Sequence, residues 1–377
     1  MRRIAIIQDY LPSYRVRFYQ NLHELLLNDN IRLELFYGIN FSDPEAVRTL
    51  NWSTPVHTTW VGPFIWQEVN SLCLQCDLVV VPQQLRQLSS ILLHLSRFTG
   101  NRRHAFWGHG ASQHAANLSP PVKAWKKYLS KRVDWWFAYN NMAADFVKDM
   151  GYPEERITRV MNAIDTTGIH QQLKELAGDD LESVRRDLGI DSHNVAVYTG
   201  SLRQIKRPEF LVAACEKIRE RVPDFEMILI GDGPDAPMME EAAARWPWFH
   251  YLGRKNDMEK VPYCALAKLL LMPGGVGLVV LDSFALGIPM VTTENRFHGP
   301  EIDYLKDGVN GLMVKPGDDP DHYAAEVAAL LRDDPRREAM AAAALAERGR
   351  YSSEDMADRF ATGIMQALEA PRYRVFF

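Results

Sequence analysis

Leu269-Leu-Leu-Met-Pro-Gly274-Gly275-Val276-Gly277-Leu278-Val-Val-Leu-Asp282-Ser-Phe-Ala-Leu-Gly287-Ile-Pro289 is the stretch that decides the fold. It opens as a short apolar run of the kind that becomes a buried strand, passes through a glycine-rich loop and continues as an amphipathic helix. Glycines let the backbone approach a ligand closely, and the unpaired amides and dipole at a helix start suit a diphosphate. Asp282, one or two turns into that helix, is placed to reach ribose hydroxyls while the phosphates stay on the loop amides. A glycine-rich turn of this kind also serves elsewhere as nothing more than a tight connection.

Outward from this unit, the same alternation of apolar runs and amphipathic stretches fills the chain, the pattern of βα units in parallel sheets buried on both faces. One series has strands at Ile4 to Ile7, Ile31 to Tyr37, Leu78 to Val81, Ala105 to Trp107, Trp135 to Tyr139 and Ile157 to Val160. A polar, acidic segment from Thr166 to His193 reads as a linker. The second series has strands at Val195 to Tyr198, Met227 to Ile230, Phe249 to Leu252, Leu269 to Met272, Met290 to Thr293 and Leu312 to Val314, with helices at Pro208 to Arg221 and Arg336 to Glu347. Both halves therefore read as doubly wound α/β domains with a cleft between them, and 377 residues suit two cores better than one.

Composition excludes several classes. With 47% hydrophobic and 24% charged residues and no low-complexity block, the chain is a globular one. Net charge is -5 overall, but residues 1 to 165 carry about +4 and the remainder about -9, so the first half favours anionic company. Four cysteines are too few for a disulfide framework, and Cys73-Leu-Gln-Cys76 lacks the second pair that a zinc site requires; all four read as buried structural thiols. Met1-Arg2-Arg3-Ile4 begins a strand rather than a signal peptide, and no run approaches the length of a spanning helix, which implies a cytoplasmic protein, free or on the inner membrane face.

The glycine-rich stretch resembles the signature of the retaining GT-B glycosyltransferases of family 4, Pro-x-x-x-Glu-Gly-Phe-Gly-Leu-x-x-x-Glu-Ala-x-Ala-x-Gly-x-Pro. The resemblance continues in Gly299-Pro300-Glu301-Ile302, Asp307-Gly308-Val309-Asn310-Gly311-Leu312, Val195-Ala-Val-Tyr-Thr-Gly200-Ser-Leu-x-x-x-Lys206, Leu229-Ile-Gly231-Asp232-Gly233-Pro234 and Leu252-Gly253-Arg254. Looser matches lie upstream, in Leu11-Pro-Ser-Tyr14-Arg15-Val-x-Phe18-Tyr19 and Met161-Asn162-Ala-Ile-Asp165. The resemblance implies two Rossmann-like domains. An acceptor-binding domain spans residues 1–168, with the C-terminal helix of 353–377 packed back on it, and a nucleotide-sugar-binding domain spans 169–352. It also implies sugar transfer with retention and without a metal or other cofactor, the nucleotide sugar being a co-substrate with UDP or GDP as the expected nucleotide.

Carried over residue by residue, the resemblance puts Lys206 against the donor's diphosphate, where its charge would stabilise the leaving group. Ser201 replaces an arginine the family often has, with Arg203 and Arg207 as candidate substitutes. Asp282 stands for the ribose-binding Glu, one methylene shorter. Gly274 replaces the Glu that meets the donor sugar, which leaves Gly275, Val276, Gly277 and Leu278 as backbone contacts. Gly200, Arg254 in the base-side loop and Glu301 on the rim complete the expected donor set. In the first half, His109 within Phe106-Trp-Gly-His-Gly110 matches the family's active-site His and has the pKa for proton exchange near neutrality; His104 and His114 are weaker candidates. Tyr14 and Arg15 are expected on the acceptor or phosphate side.

The basic, aromatic segment Pro121 to Trp136 reads equally as an interfacial helix for anionic lipid and as a soluble helix leading into a buried strand. Nucleic acid is a poor partner for an acidic chain with so short a patch. Trp52, Trp60 and Trp66 lie in a segment of weak periodicity and are expected to pack beneath a long loop, with sugar stacking as the alternative. The expected partners are thus a nucleotide-sugar donor and a saccharide or lipid-linked acceptor. An epimerase of the same architecture, or an inactive nucleotide-binding or membrane-surface adaptor, are the rival readings.

Overall fold

Runs such as Ile4 to Ile7, apolar at every position, can be buried only where both faces are covered, and these four residues are fully buried at the centre of β1 (Arg2–Gln8). The computed structural model describes residues 1–39, 42–84, 86–95, 102–110 and 119–373. The chain divides into two compact units, Met1–Asp165 together with Ser353–Phe377, and Thr166–Ser352.

In the first unit β2 (Ile31–Gly38), β3 (Thr54–Val56), a hairpin of β4 (Thr58–Val61) and β5 (Phe64–Gln67), β6 (Leu78–Pro82), β7 (Arg103–Gly108), β8 (Trp135–Ala138) and β9 (Ile157–Arg159) follow β1. Seven of them form one parallel sheet in the order β3-β2-β1-β6-β7-β8-β9, with Ile4 opposite both Leu33 and Leu78. The last helix, Ser353–Glu369, belongs to this unit through aromatic packing: Phe360 stacks on Phe137 at 4.1 Å between ring centres and meets Trp107 at 5.0 Å and Phe18 at 5.6 Å.

The second unit contains β10 (Val195–Thr199), β11 (Glu226–Ile230), β12 (Phe249–Tyr251), β13 (Leu269–Met272), β14 (Met290–Thr293) and β15 (Gly311–Val314), all parallel in the order β12-β11-β10-β13-β14-β15. This is the doubly wound order whose direction reverses between β10 and β13, and ligands of such sheets sit beyond the carboxyl ends of the strands at that reversal. The α/β class and all twelve expected strands are present, with ends shifted by a residue or two.

Two expectations fail. The segment read as a linker is helical, with helices at Thr166–Glu175 and Gly178–Leu188, because its polar residues form the solvent face of surface helices. The weakly periodic segment around Trp60 forms strands too short to show a period of two. Gly62, at φ 61° in the two-residue turn between β4 and β5, supplies the positive φ that such hairpins need. Trp60 is half exposed on this hairpin rather than packed beneath a loop, whereas Trp52 stacks on His23 at 4.2 Å. All four cysteines are buried and unbridged, as expected of structural thiols.

The docking of the last helix depends on Gly363, where an added Cβ would lie 2.3 Å from Thr158 Oγ1 and 2.8 Å from the Phe137 ring. Gly363→Ala is therefore expected to cost about 1–3 kcal/mol. Gly178→Ala, at a helix start with nothing within 4 Å of the new Cβ, is expected to be neutral or stabilising by up to about 1 kcal/mol. Denaturant unfolding of the two variants, followed by circular dichroism, checks both signs.

Candidate active site

The loops that leave β10, β11 and β13 are packed backbone against backbone. A Cβ on Gly231 would sit 1.9 Å from the Gly200 carbonyl oxygen, and one on Gly233 would sit 2.2 Å from that of Leu202. Hydrogen bonds continue the seam, from Gly200 N–H to Ile230 O at 3.0 Å and from Leu202 N–H to Asp232 O at 2.9 Å. Across the sheet's reversal, a Cβ on Gly274 would lie 2.2 Å from the Lys206 carbonyl, and Gly275 N–H donates to Ile205 O at 2.9 Å. No side chain fits at position 274 without moving the Lys206 turn, which accounts for glycine where a glutamate was the expected residue.

Lys206 is brought by this packing to the mouth of the glycine-rich loop. Its ammonium donates to the Gly275 carbonyl, and burial pushes its pKa down to about 8 against the pull of the Glu301 carboxylate. Glu301 is itself buried, on the turn Pro300–Tyr304. A half-buried cation without a full counter-ion is poised for an anion.

The loop's amides are not all available, and here one expectation is corrected. Gly275 N–H is bonded to Ile205 O, and Val276 N–H donates to His298 Nδ1 at 3.0 Å. Among the described residues, the loop donors without an intramolecular acceptor are Gly274, Gly277 and Leu278, the last two at the start of the helix Val279–Leu286. An added Cβ on Gly277 meets nothing within 4 Å, so this end of the loop is open. His298 holds the loop from behind: its Nδ1 accepts from Val276 and its Nε2 donates to Thr293 O at 2.8 Å, which fixes the neutral Nε2–H tautomer. Burial lowers its pKa, the Thr293 carbonyl raises it, and Lys206 lowers it further.

Asp282 lies on the first turn of the helix, as expected, but buried in an ion pair rather than at the surface. Lys260 Nζ sits 2.9 Å from each of its carboxylate oxygens and 2.9 Å from Asp257 Oδ1. Burial alone would lower the Lys260 pKa, but the two carboxylates outweigh it and raise it. Lys260 escaped sequence reading because its partner is 22 residues away and no motif marks the pairing. Arg203 and Arg254 are exposed on the loops after β10 and β12. Arg207 is engaged elsewhere, donating to Thr293 Oγ1 at 3.1 Å and Gly317 O at 2.7 Å and lying over the Phe210 ring, so of the two candidate substitutes Arg203 is the one at the surface.

In the first unit, His109 follows β7, exposed, with its ring edge-on to Tyr139 at 4.1 Å. Arg15 is a correction. It is buried, donates to Asn162 Oδ1 and to Met356 Sδ, and lies over Trp107 and the half-buried Tyr14 at 5.1 and 5.3 Å. Its charge ties the first loop to the last helix instead of facing a phosphate. His104 is buried within β7, and His114 lies outside the described residues.

Residues 193–333 match the family model described as Glycosyl transferases group 1. The D-inositol 3-phosphate glycosyltransferase of Corynebacterium urealyticum is 33% identical over 190 residues, which are 47% of this chain and 44% of the relative, so the match spans less than half of that protein. Among solved structures, Anabaena HepE in complex with UDP-glucose superposes over 97% of this chain and 100% of its own, with TM-score 0.72 and 15% identity. A UDP-N-acetylglucosamine 2-epimerase homologue from Listeria monocytogenes covers 100% of each chain with TM-score 0.66 and 14% identity.

Because Lys206 titrates near pH 8, affinity for inorganic pyrophosphate is expected to fall as pH rises above about 8, and Lys206→Met is expected to bind at least tenfold more weakly while unfolding about 2–4 °C higher. Calorimetry and thermal unfolding read the two effects. The lowered pKa of His298 means that the unfolded chain binds more protons below its ordinary pKa of about 6.5, so this residue's contribution to stability is present above that pH and is lost as pH falls through it. His298→Gln is expected to flatten that part of the pH profile of unfolding.

Proposed function

We propose that this chain, a GT-B protein whose second unit is a group 1 glycosyltransferase domain, moves a sugar from a nucleoside diphosphate to an acceptor with retention at the anomeric carbon and without a metal ion. The observation that carries the reading is the position of Lys206 beside the glycine-rich loop at the sheet reversal between β10 and β13. A diphosphate there would take the Gly277 and Leu278 amides and the start of the helix dipole. The Lys206 ammonium would then neutralise the charge that develops as the bond to the departing phosphate breaks, the task that a metal performs in other transferases. Asp282 binds the ribose, Arg254 borders the base, and Glu301 sets the field at Lys206. Retention is what the family resemblance implies. UDP is the favoured nucleotide, since HepE was crystallised with UDP-glucose.

On the first unit we assign acceptor binding to the end of the sheet that carries His109, with His109 as the group exchanging a proton with the acceptor. A saccharide or lipid-linked acceptor fits this reading. Trp125 and Tyr128, exposed and stacked at 5.6 Å on the basic helix Pro120–Ser130, support contact with anionic lipid. Among the described residues, no helix is long and apolar enough to cross a membrane.

A thermal-shift screen of UDP-, GDP-, ADP- and CDP-sugars is expected to give one stabilising donor. That donor should then turn over in the presence of EDTA to a product whose anomeric proton coupling matches that of the donor. Lys206→Ala is expected to lower kcat by about 10²-fold or more. Epimerisation of the free donor without transfer would favour the reading suggested by the epimerase-like neighbour, and no nucleotide binding at all would overturn both.

A further inference from the structure

Asp282 is one methylene shorter than the glutamate expected at its position, and the adjoining volume holds Lys260. Lys260 is 5% and Asp282 4% exposed, so neither charge is explained by solvent, and a buried charge persists only when it is paired with good geometry. The pairing is close: Lys260 Nζ touches both oxygens of Asp282 and one of Asp257, all at 2.9 Å. A carboxylate that accepts from one ammonium keeps lone pairs for further donors.

The ammonium is delivered by a hydrogen-bonded turn. Asn256 Oδ1 accepts from Met258 N–H at 3.0 Å and Glu259 N–H at 2.8 Å, Glu259 Oε2 accepts from Asn256 N–H at 2.9 Å, and Lys260 N–H donates to Asn256 O at 3.2 Å. The helix Thr166–Glu175 clamps both sides of the pair. Its Gln172 donates to Met258 O at 3.0 Å beside Lys260, and its His170 Nδ1 donates to Ala285 O at 3.0 Å on the helix that carries Asp282. The position of the Asp282 carboxylate is thus fixed by the protein; burial raises its pKa, Lys260 opposes that rise and Asp257 adds to it, so Lys260 is the group that favours the ionised form.

We propose that Lys260 is a positioning residue for nucleotide recognition, holding Asp282 ionised and in one rotamer so that the carboxylate accepts from the vicinal hydroxyls of a ribose. The assignment rests on the donor-site reading above and adds to it a residue that makes the site select ribose over deoxyribose.

The probes are the nucleoside diphosphate that stabilises the wild type most, among UDP, GDP, ADP and CDP, and its 2′-deoxy counterpart, titrated into the full chain by calorimetry. The wild type is expected to prefer the ribose form by about tenfold, the worth of one hydrogen bond to a charged group. Lys260→Met is expected to weaken binding of the ribose form by about tenfold and to shrink the preference to within about twofold. In the Asp282→Asn background, Lys260→Met is expected to change neither affinity further. That double variant also removes both charges together, so it keeps the test readable if Lys260→Met alone does not fold. A folded Lys260→Met protein with the wild-type preference, an equal loss for both probes, or a further loss on top of Asp282→Asn would each overturn the role. If the wild type binds no nucleoside diphosphate, the donor-site reading itself falls, an outcome distinct from the three that remove Lys260 alone.

Discussion

The contact between the backbones of Gly274 and Lys206 is the constraint on which the second unit's site depends. Parallel strands β10 and β13 are neighbours whose connections leave in opposite directions, so their loops diverge unless something draws them together. A glycine at 274 lets the Lys206 turn approach to a distance that any Cβ would forbid, and the bond from Gly275 N–H to Ile205 O fastens it there. The cation from one loop and the open amides of the other then share one small volume. A glutamate at 274 would force the two loops apart, so the missing acidic side chain and the placement of Lys206 are one structural fact.

That fact also shows which parts of the molecule were legible in the sequence. Strands such as Leu269 to Met272 were readable because complete burial demands an uninterrupted apolar run, and residue order alone displays it. Asp282 was singled out by its offset to a helix start and Lys206 by the family resemblance, and the fold puts them on the helix that follows β13 and the loop that follows β10. The engagement of the Gly275 and Val276 amides was not, since it depends on carbonyl and ring acceptors 70 and 22 residues distant in the chain. Arg15 was misread for a related reason. A charged residue in a loop after a strand suggests a ligand, and only the return of the last helix, with Met356 beside Asn162 and Trp107, reveals a buried structural cation.

The first unit shows the complementary limit. Phe18, Trp107, Phe137 and Phe360 meet around its last helix. The contacts of Phe360 join residues more than 200 positions apart, and Gly363 is needed so that the helix can come within reach of Thr158 and Phe137. Local periodicity predicts that the helix exists. It cannot say which sheet the helix covers, because the same apolar face would serve either one.

Lys260, buried, and Lys206, half-buried, show how one sheet end can satisfy one cation more fully than another. Lys260 is raised in pKa because two carboxylates stand within hydrogen-bond distance; its charge is satisfied, and its role is to hold its partners still. Lys206 is lowered because it has a carbonyl oxygen as its acceptor and Glu301 only as a weaker electrostatic partner. Burying that ammonium costs the ligand-free protein stability, and an arriving diphosphate would relieve the cost by supplying the missing negative charge. Lys260 thus has carboxylates at hydrogen-bond distance where Lys206 has a backbone carbonyl. On the proposed reading an anion would be drawn to Lys206 and would gain nothing at Lys260, where it would have to displace a carboxylate. On the proposed donor reading, this asymmetry would orient a nucleoside diphosphate with its phosphates between Lys206 and the Gly277 and Leu278 amides and its ribose toward Asp282, further along the helix that follows β13.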